Sequence, residues 1–493
     1  MIKMWGPWNI VLSPAFLACP ILGQTAFHSS LSSLVRSSAK RMLHLGGVSA
    51  GDAATLYDSI LRVIIDDKML PTDKLASFAS DGAAVMIGRK AGVGKRLQDS
   101  FPGLITVQCV AHCLNLAVSD YIKGQRAVHY LTKYARTVGT IFWFYQASSI
   151  RTSSLKDMER LFELPQIKLQ GGNASRWESN KEATDVMRRI LPALIADLSL
   201  QARNEPTAQG LHSFVKDKFF PPALCLMQLV HEKIHRQFLV FQKRNLFFSQ
   251  VEQEVTVLKS SLAQLKESNM VKDRWQAWLQ SDAGLKPLQE EVPAYFQDDV
   301  WESFKNTVME PFLTALTENI DTRFPNTGSL SVFNVFSPRQ ILSNSSTEYG
   351  DAEMRTPAEE FPRLREFDLP SEWSSYRLRV GSPDLKTKSL EEVLLWLVSA
   401  ESAELYPTLS LAAAIALTAP VQTADVERLF SALKIVKTPL RNRLKERHLD
   451  FCCKVAIDGP DQEALDYKEC MRRFYRIKKR RLKCYVSSCE MCE

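Results

Sequence analysis

The chain has 493 residues, 45% of them apolar and 24% charged. That balance excludes global disorder, and the length is enough to bury a core and form two or three structural units. The formal net charge of +7 is local: residues 471–483 (MRRFYRIKKRRLK) hold eight Lys/Arg and no acid, which leaves 54 Lys/Arg against 55 Asp/Glu elsewhere. Ten irregularly spaced cysteines do not form the disulfide framework of a small secreted domain, and reduced thiols in a nuclear or cytosolic compartment are the simpler reading.

Residues 1–27 loosely imitate a signal peptide, but two prolines interrupt the apolar run and nothing downstream reads as secretory. Residues 1–49 are therefore expected to form an extension outside the regular part of the chain. No stretch reaches the ~18 uninterrupted apolar residues that a membrane helix needs, so no membrane partner is expected.

Regular patterning starts near Ala50. Ala53, Leu56, Ile60 and Ile64 recur at helical spacing, with Asp52 placed to cap that helix. A short strand-like run, Leu75 to Ser80, ends on the turn signal Asp81-Gly82. Val93 to Phe101 reads as a helix, the β-branched run Leu104 to Cys109 as a buried strand, and Ala111 to Ile122 as a helix again. This alternation predicts a mixed α/β layer.

From Asn180 to Asn319 the pattern is almost wholly helical. Pro221-Pro222 suits the first turn of a long helix with the stripe Ala223, Met227, Val230, Ile234, Phe238 and Phe241. The next helix repeats Val251, Val255, Leu258, Leu262 and Leu265, a spacing that reads as the buried face of a bundle helix. Residues 321–385 are rich in turn formers. A helix then starts at Ser389, where Glu392 completes a capping box; apolar Leu409 to Leu417 and the segment Thr423 to Lys434 follow as helices.

Several groups could carry chemistry. A carboxylate at the end of a buried strand is held rigidly enough to bind a metal ion, which singles out Asp81, although Asp-Gly alone reads as a turn. His231-Glu232-Lys233-Ile234-His235 is an HExxH motif with both histidines on one helical face. Its metalloprotease reading needs a third ligand, for which Glu252 or Glu254 is the candidate, and no HxxGxxH extension follows. Cys470, Cys484, Cys489 and Cys492 are too unevenly spaced for a standard zinc site. In the basic tail, Arg472, Arg473, Lys478, Lys479, Arg480 and Arg481 read first as a nuclear localisation signal, with a phosphate-binding arm or a solvated end as the alternatives.

Three blocks change the weight of Asp81: SDGAAVMIGRKAGVG (80–94), VQCVAHCLNLA (107–117) and ADVERLFSALKIVKTPLRNRL (424–444). Together, and in this order, they resemble the hAT transposase superfamily, particularly its domesticated, zinc-finger-associated members, over roughly residues 50–460. The resemblance implies an α/β fold with a ribonuclease-H-like core interrupted by a large α-helical insertion domain. It also implies two aspartates and a glutamate that hold two divalent cations for phosphodiester transfer. Asp81 matches the second aspartate and Glu427, in VERLF, the glutamate. The first aspartate belongs on an opening strand, and no strand–Asp pattern precedes Asp52.

The two carboxylates are thus read as vestigial catalytic residues, with no cofactor required and Mg²⁺ or Mn²⁺ called for only if the chain is active. Cys109 and His112 correspond to a C-x-x-H element that supports the active site. Arg176 and Trp177 resemble an Arg-Trp pair near the DNA end, with an anchoring role for the tryptophan as the alternative. Lys434, Lys437, Arg441 and Arg443 fall in a dimerising, DNA-facing surface, against the plainer reading of a solvated helix face.

The expected division is an N-terminal extension (1–49), the first part of the core (50–170), the helical insertion (171–320), a loop-rich linker (321–388), a dimerisation region completing the core (389–460) and a basic tail (461–493). The function implied is that of a nuclear, transposase-derived homodimer or higher homo-oligomer with DNA as a partner and without catalysis. An active metal-dependent transposase and the zinc protease are the alternatives.

Overall fold

The computed structural model describes residues 2–5, 9–12, 44–69, 72, 75–119, 129–169, 177–243, 246–282, 284–324, 328–344, 346, 348–354, 369–438, 440–441, 443–459 and 462–477. Five four-residue strands form one mixed sheet: β1 (Ile2–Trp5), β2 (Asn9–Leu12), β3 (His44–Gly47), β4 (Ser77–Ser80) and β5 (Ile105–Gln108), in the order β3-β2-β1-β4-β5. β2 runs antiparallel to both β1 and β3, whereas β1, β4 and β5 run parallel, with Ile2 opposite Ser80 and Ser80 opposite Gln108.

Three of these strands lie within residues 1–49, the segment expected to stay outside the core. Their signal is weak for physical reasons. Each strand is too short to establish a period-two pattern, β3 reads His-Leu-Gly-Gly against strand propensity, and β3 pairs with β2 across more than thirty residues while β1 pairs with the still more distant β4 as well as with the neighbouring β2.

β4 is placed by helices that pack on each of its faces. Asp52 caps α1 (Ala53–Leu61) by accepting the Ala54 and Thr55 amides, both at 3.0 Å. Leu56 and Ile60 of α1 then pack with Val93 and Leu97 of α2 (Val93–Ser100) and with Phe78 of β4. Because successive side chains of a strand point to opposite faces, Ala79 serves the other side of the sheet. There it meets Val426, Leu429, Phe430 and Leu433 near the C-terminal end of the chain. All four residues of β4 are buried as a result.

β5 leads directly into α3 (Val110–Ser119), whose Leu114, Ala117 and Val118 enter the largest core cluster. The helices that follow supply most of that cluster: α4 (His129–Gln146), α5 (Ser149–Leu161), α6 (Trp177–Gln201), α7 (Pro206–Val215), α8 (Phe220–Phe241), α9 (Phe248–Glu267), α10 (Met270–Gln280) and α11 (Glu310–Arg323). Pro221 and Pro222 occupy the first turn of α8, where their missing amides cost nothing. One buried carboxylate of this bundle is satisfied twice over: Asp197, fully buried, accepts from Tyr145 Oη at 2.7 Å and from Ser154.

The stretch expected to be a loop-rich linker contains α12 (Leu369–Val380), which gains order from aromatic packing that periodicity does not register. Trp373 and Tyr376 are buried against Phe336, and Tyr376 meets Tyr406 edge-on. Then follow α13 (Leu390–Leu397), closed by the Ser389–Glu392 capping box, α14 (Pro407–Thr418), α15 (Ala424–Val436), α16 (Glu446–Asp458) and α17 (Tyr467–Ile477). No helix among the described residues is long and apolar enough to cross a membrane.

One side chain ties α12 to α14. The Glu372 carboxylate accepts the amides of Thr408 and Leu409 at 2.9 and 3.0 Å and the Thr408 hydroxyl at 2.6 Å. Its negative charge thus sits on the positive end of α14. Glu372→Ala should lower the free energy of unfolding by about 1–2 kcal/mol in urea denaturation, as loss of a charged cap implies.

Candidate functional site

Strand β4 delivers Asp81 at its C-terminal end, and the Asp81 carboxylate folds back to accept the Ala83 amide at 3.2 Å. Gly82 is required here by close approach. A Cβ on it would lie 2.4 Å from Gln108 Nε2 and 2.5 Å from His112 Cδ2. The imidazole of His112, on the first turn of α3, is therefore packed on the backbone next to Asp81.

Cys109 joins this corner to the end of the chain. Its amide donates to the Ser80 carbonyl at 2.9 Å, and its Sγ accepts the Thr423 amide at 3.3 Å. Beside it the Val110 amide donates to the Val421 carbonyl at 3.0 Å. Thr423 in turn starts α15, and the Glu427 amide donates to the Thr423 carbonyl at 3.1 Å. Asp81 and Glu427 thus stand on two segments fastened to the same residue. The insertion is bound in as well: Gln422 Nε2 reaches the Lys243 carbonyl at 3.3 Å and Arg428 Nη2 the Gln242 carbonyl at 3.0 Å, both just past α8.

Residues 377–453 match the hAT family C-terminal dimerisation region.

The matched region runs from the end of α12 through α13, α14 and α15 into α16. Glu427 lies inside the hAT region, whereas Asp81, Cys109 and His112 come from the sheet side; Cys109 is bonded to the residue before Asp81 and to the residue that starts the helix of Glu427. The other candidates take no part in these bonds. Lys434, Lys437, Arg441 and Arg443 are exposed on and after the last turn of α15, and none forms an ion pair with a described residue. Trp177 is the first residue of α6, and Arg176 lies outside the described residues.

In the tail, Arg472 and Arg473 are held on α17 by Glu469 at 2.7 and 2.8 Å. Lys478, Lys479, Arg480 and Arg481 lie outside the described residues. The pairing with Glu469 follows from i,i+3 and i,i+4 spacing and was visible in sequence only once the basic run is read together with the acid that precedes it.

A cleft of about 600 Å³ opens between β5, α9 and the end of α11, lined among others by Thr106, Gln108, Lys259, Asp321 and Arg323. Neither Asp81 nor Glu427 lines it, and Lys259 is paired with Asp321 at 2.5 Å. Cys113, at its base, is pushed up to about 12 by burial, with Cys109 adding to the effect, so it is a poor nucleophile.

The HExxH residues serve packing. His231 is buried in the insertion with Nδ1 3.4 Å from Thr184 Oγ1, while Glu232 turns outward to Arg274 at 3.0 Å. Glu252 and Glu254 are occupied by Asn334 and Gln237, at 3.2 and 3.3 Å. Among the described residues no three His, Cys, Asp or Glu side chains converge to hold a metal ion.

Burial lowers the His231 imidazole from 6.5 to about 3. Below pH 6.5 the unfolded chain therefore binds a proton that the folded chain refuses. The stability present above pH 6.5 is lost as pH falls toward 3, by up to ~1.4 kcal/mol per pH unit. Urea denaturation from pH 7 to 5 should show this extra loss in the native chain and not in His231→Gln; parallel curves would remove the effect from His231.

Proposed function

We propose that this protein is a transposase-derived nuclear DNA-binding dimer whose core is ribonuclease-H-like and whose cleavage chemistry is lost. The hAT match supports a dimer of transposase ancestry. The mixed sheet with helices on both faces, and the attachment of the segments carrying Asp81 and Glu427 to Cys109, support a core of that class. The nuclear assignment rests on that ancestry and on the basic run at 471–483.

The composition of β1 carries the inactive reading. Two-metal phosphodiester transfer needs carboxylates that bracket both ions. β1 is the strand that pairs with β4, Ile2 opposite Ser80, and it reads Ile-Lys-Met-Trp with no Asp or Glu. Lys3 follows Ile2 just as Asp81 follows Ser80. The donor set therefore does not fit a two-cation centre.

DNA contact is assigned to the exposed cations Lys434, Lys437, Arg441 and Arg443, a cluster free of ion pairs with described residues and so available to phosphates. With supercoiled plasmid and Mg²⁺ or Mn²⁺, the protein should leave as little nicked product as Asp81→Ala does; cation-dependent nicking abolished by Asp81→Ala would establish an active transposase instead. Anisotropy titrations with duplex DNA should give a log affinity that falls linearly with log salt. Replacing Lys434 and Arg441 by Ala should reduce that slope by about 2. An affinity indifferent to salt would remove DNA from the reading.

A further inference from the structure

Helix α17 lies beyond the last matched residue of the hAT region, Cys453, and none of its residues is buried. Its sequence is sharply two-sided. Tyr467, Cys470, Met471, Phe474 and Ile477 fall on one face, and Lys468, Arg472, Arg473 and Arg476 on the other. On the apolar face Met471 is 38% exposed and Ile477 80% exposed. A helix of 11 residues is marginal in water by itself, so such a stripe needs a cover.

A second uncovered apolar surface lies on α16. The inner ridge of that helix, Leu449 and Cys453, is buried against α15. The outer ridge presents Phe451 and Val455, one turn apart and 65% and 55% exposed, with Cys452 beside them. Phe451 and Cys452 belong to the hAT region. The two apolar faces are exposed at the same time in one chain, so neither is the other's cover within that chain. In a two-fold pair, reciprocal docking uses both faces twice and leaves none over.

We propose that α17 docks on the outer ridge of α16 of a second copy, so that the dimer interface extends past the hAT region into residues 467–477. This rests on the dimeric reading above, and it names the occupant of the α16 ridge: the Met471–Ile477 face of the partner's α17 against Phe451 and Val455.

Light scattering and sedimentation equilibrium on the full chain test it. The native protein should be a dimer, and Met471→Glu/Ile477→Glu should weaken that dimer at least 30-fold, as should Phe451→Glu. Leu161→Glu, at an exposed position on α5, should leave it unchanged. All these positions are exposed, and circular dichroism should confirm unaltered folding. Native thiols add a direct readout. In a mixture of ¹⁴N- and ¹⁵N-labelled chains, a short bismaleimide should join Cys470 of one chain to Cys452 of the other.

A native monomer would overturn both this proposal and the dimeric reading. A native dimer indifferent to the α17 and α16 substitutions would overturn the docking alone, as would a Cys452–Cys470 link formed only within chains of one label. A basic amphipathic helix also suits an anionic bilayer. Loss of binding to phosphatidylserine vesicles in Met471→Glu/Ile477→Glu, with the dimer intact, would assign α17 to a membrane surface and overturn the proposal.

Discussion

Cys109 bonds at once to the end of β4 and to the start of α15, which lies 314 residues further along the chain. Neither bond is strong, yet both lie where water cannot compete, and they are joined by the apolar contacts of Ala79 with Val426 and Phe430. The site depends on this closure. Without it Asp81 would end a strand with one bare face, and Glu427 would begin a helix with nothing beneath it. A contact of such separation is entropically costly to form, and it rewards the chain only after the insertion between its ends has folded.

The helices between those ends share one core with α3 and with α12 to α14. Tyrosine hydroxyls donate to two carboxylates there, Tyr145 to the buried Asp197 and Tyr130 to the half-buried Asp217. A bundle stiffened in this way can hold the Lys243 and Gln242 carbonyls at a fixed place, where Gln422 and Arg428 find them. The buried His231 fits the same picture, since a neutral imidazole beside Thr184 belongs to the packing of helices and not to an open metal site.

Much of this was legible in the sequence wherever a local pattern had a local cause. Asp52 caps α1, the Ser389–Glu392 box closes α13, Pro221-Pro222 opens α8, and β4 and β5 end at Asp81 and Cys109 as their residues suggest. What escaped was set by pairing and packing that the local pattern does not show. β1, β2 and β3 are strands because other strands lie beside them, not because His-Leu-Gly-Gly prefers to extend. α12 exists because Trp373 and Tyr376 find Phe336 and Tyr406. The motif blocks named Asp81, His112 and Glu427, but not why Gly82 must lack a side chain or why Cys109 is a cysteine. The reasons are an imidazole pressed on the backbone and a sulfur that accepts an amide.

The burial of β4 on both faces has a consequence for how the protein is made. During synthesis the Phe78 side of the sheet can be covered as soon as α2 has emerged from the ribosome. The Ala79 side must wait for α15 and α16, among the last helices to be translated. For most of its elongation the nascent chain carries this side of the sheet uncovered. A message that stops short of codon 424 leaves Ala79 without the residues that bury it.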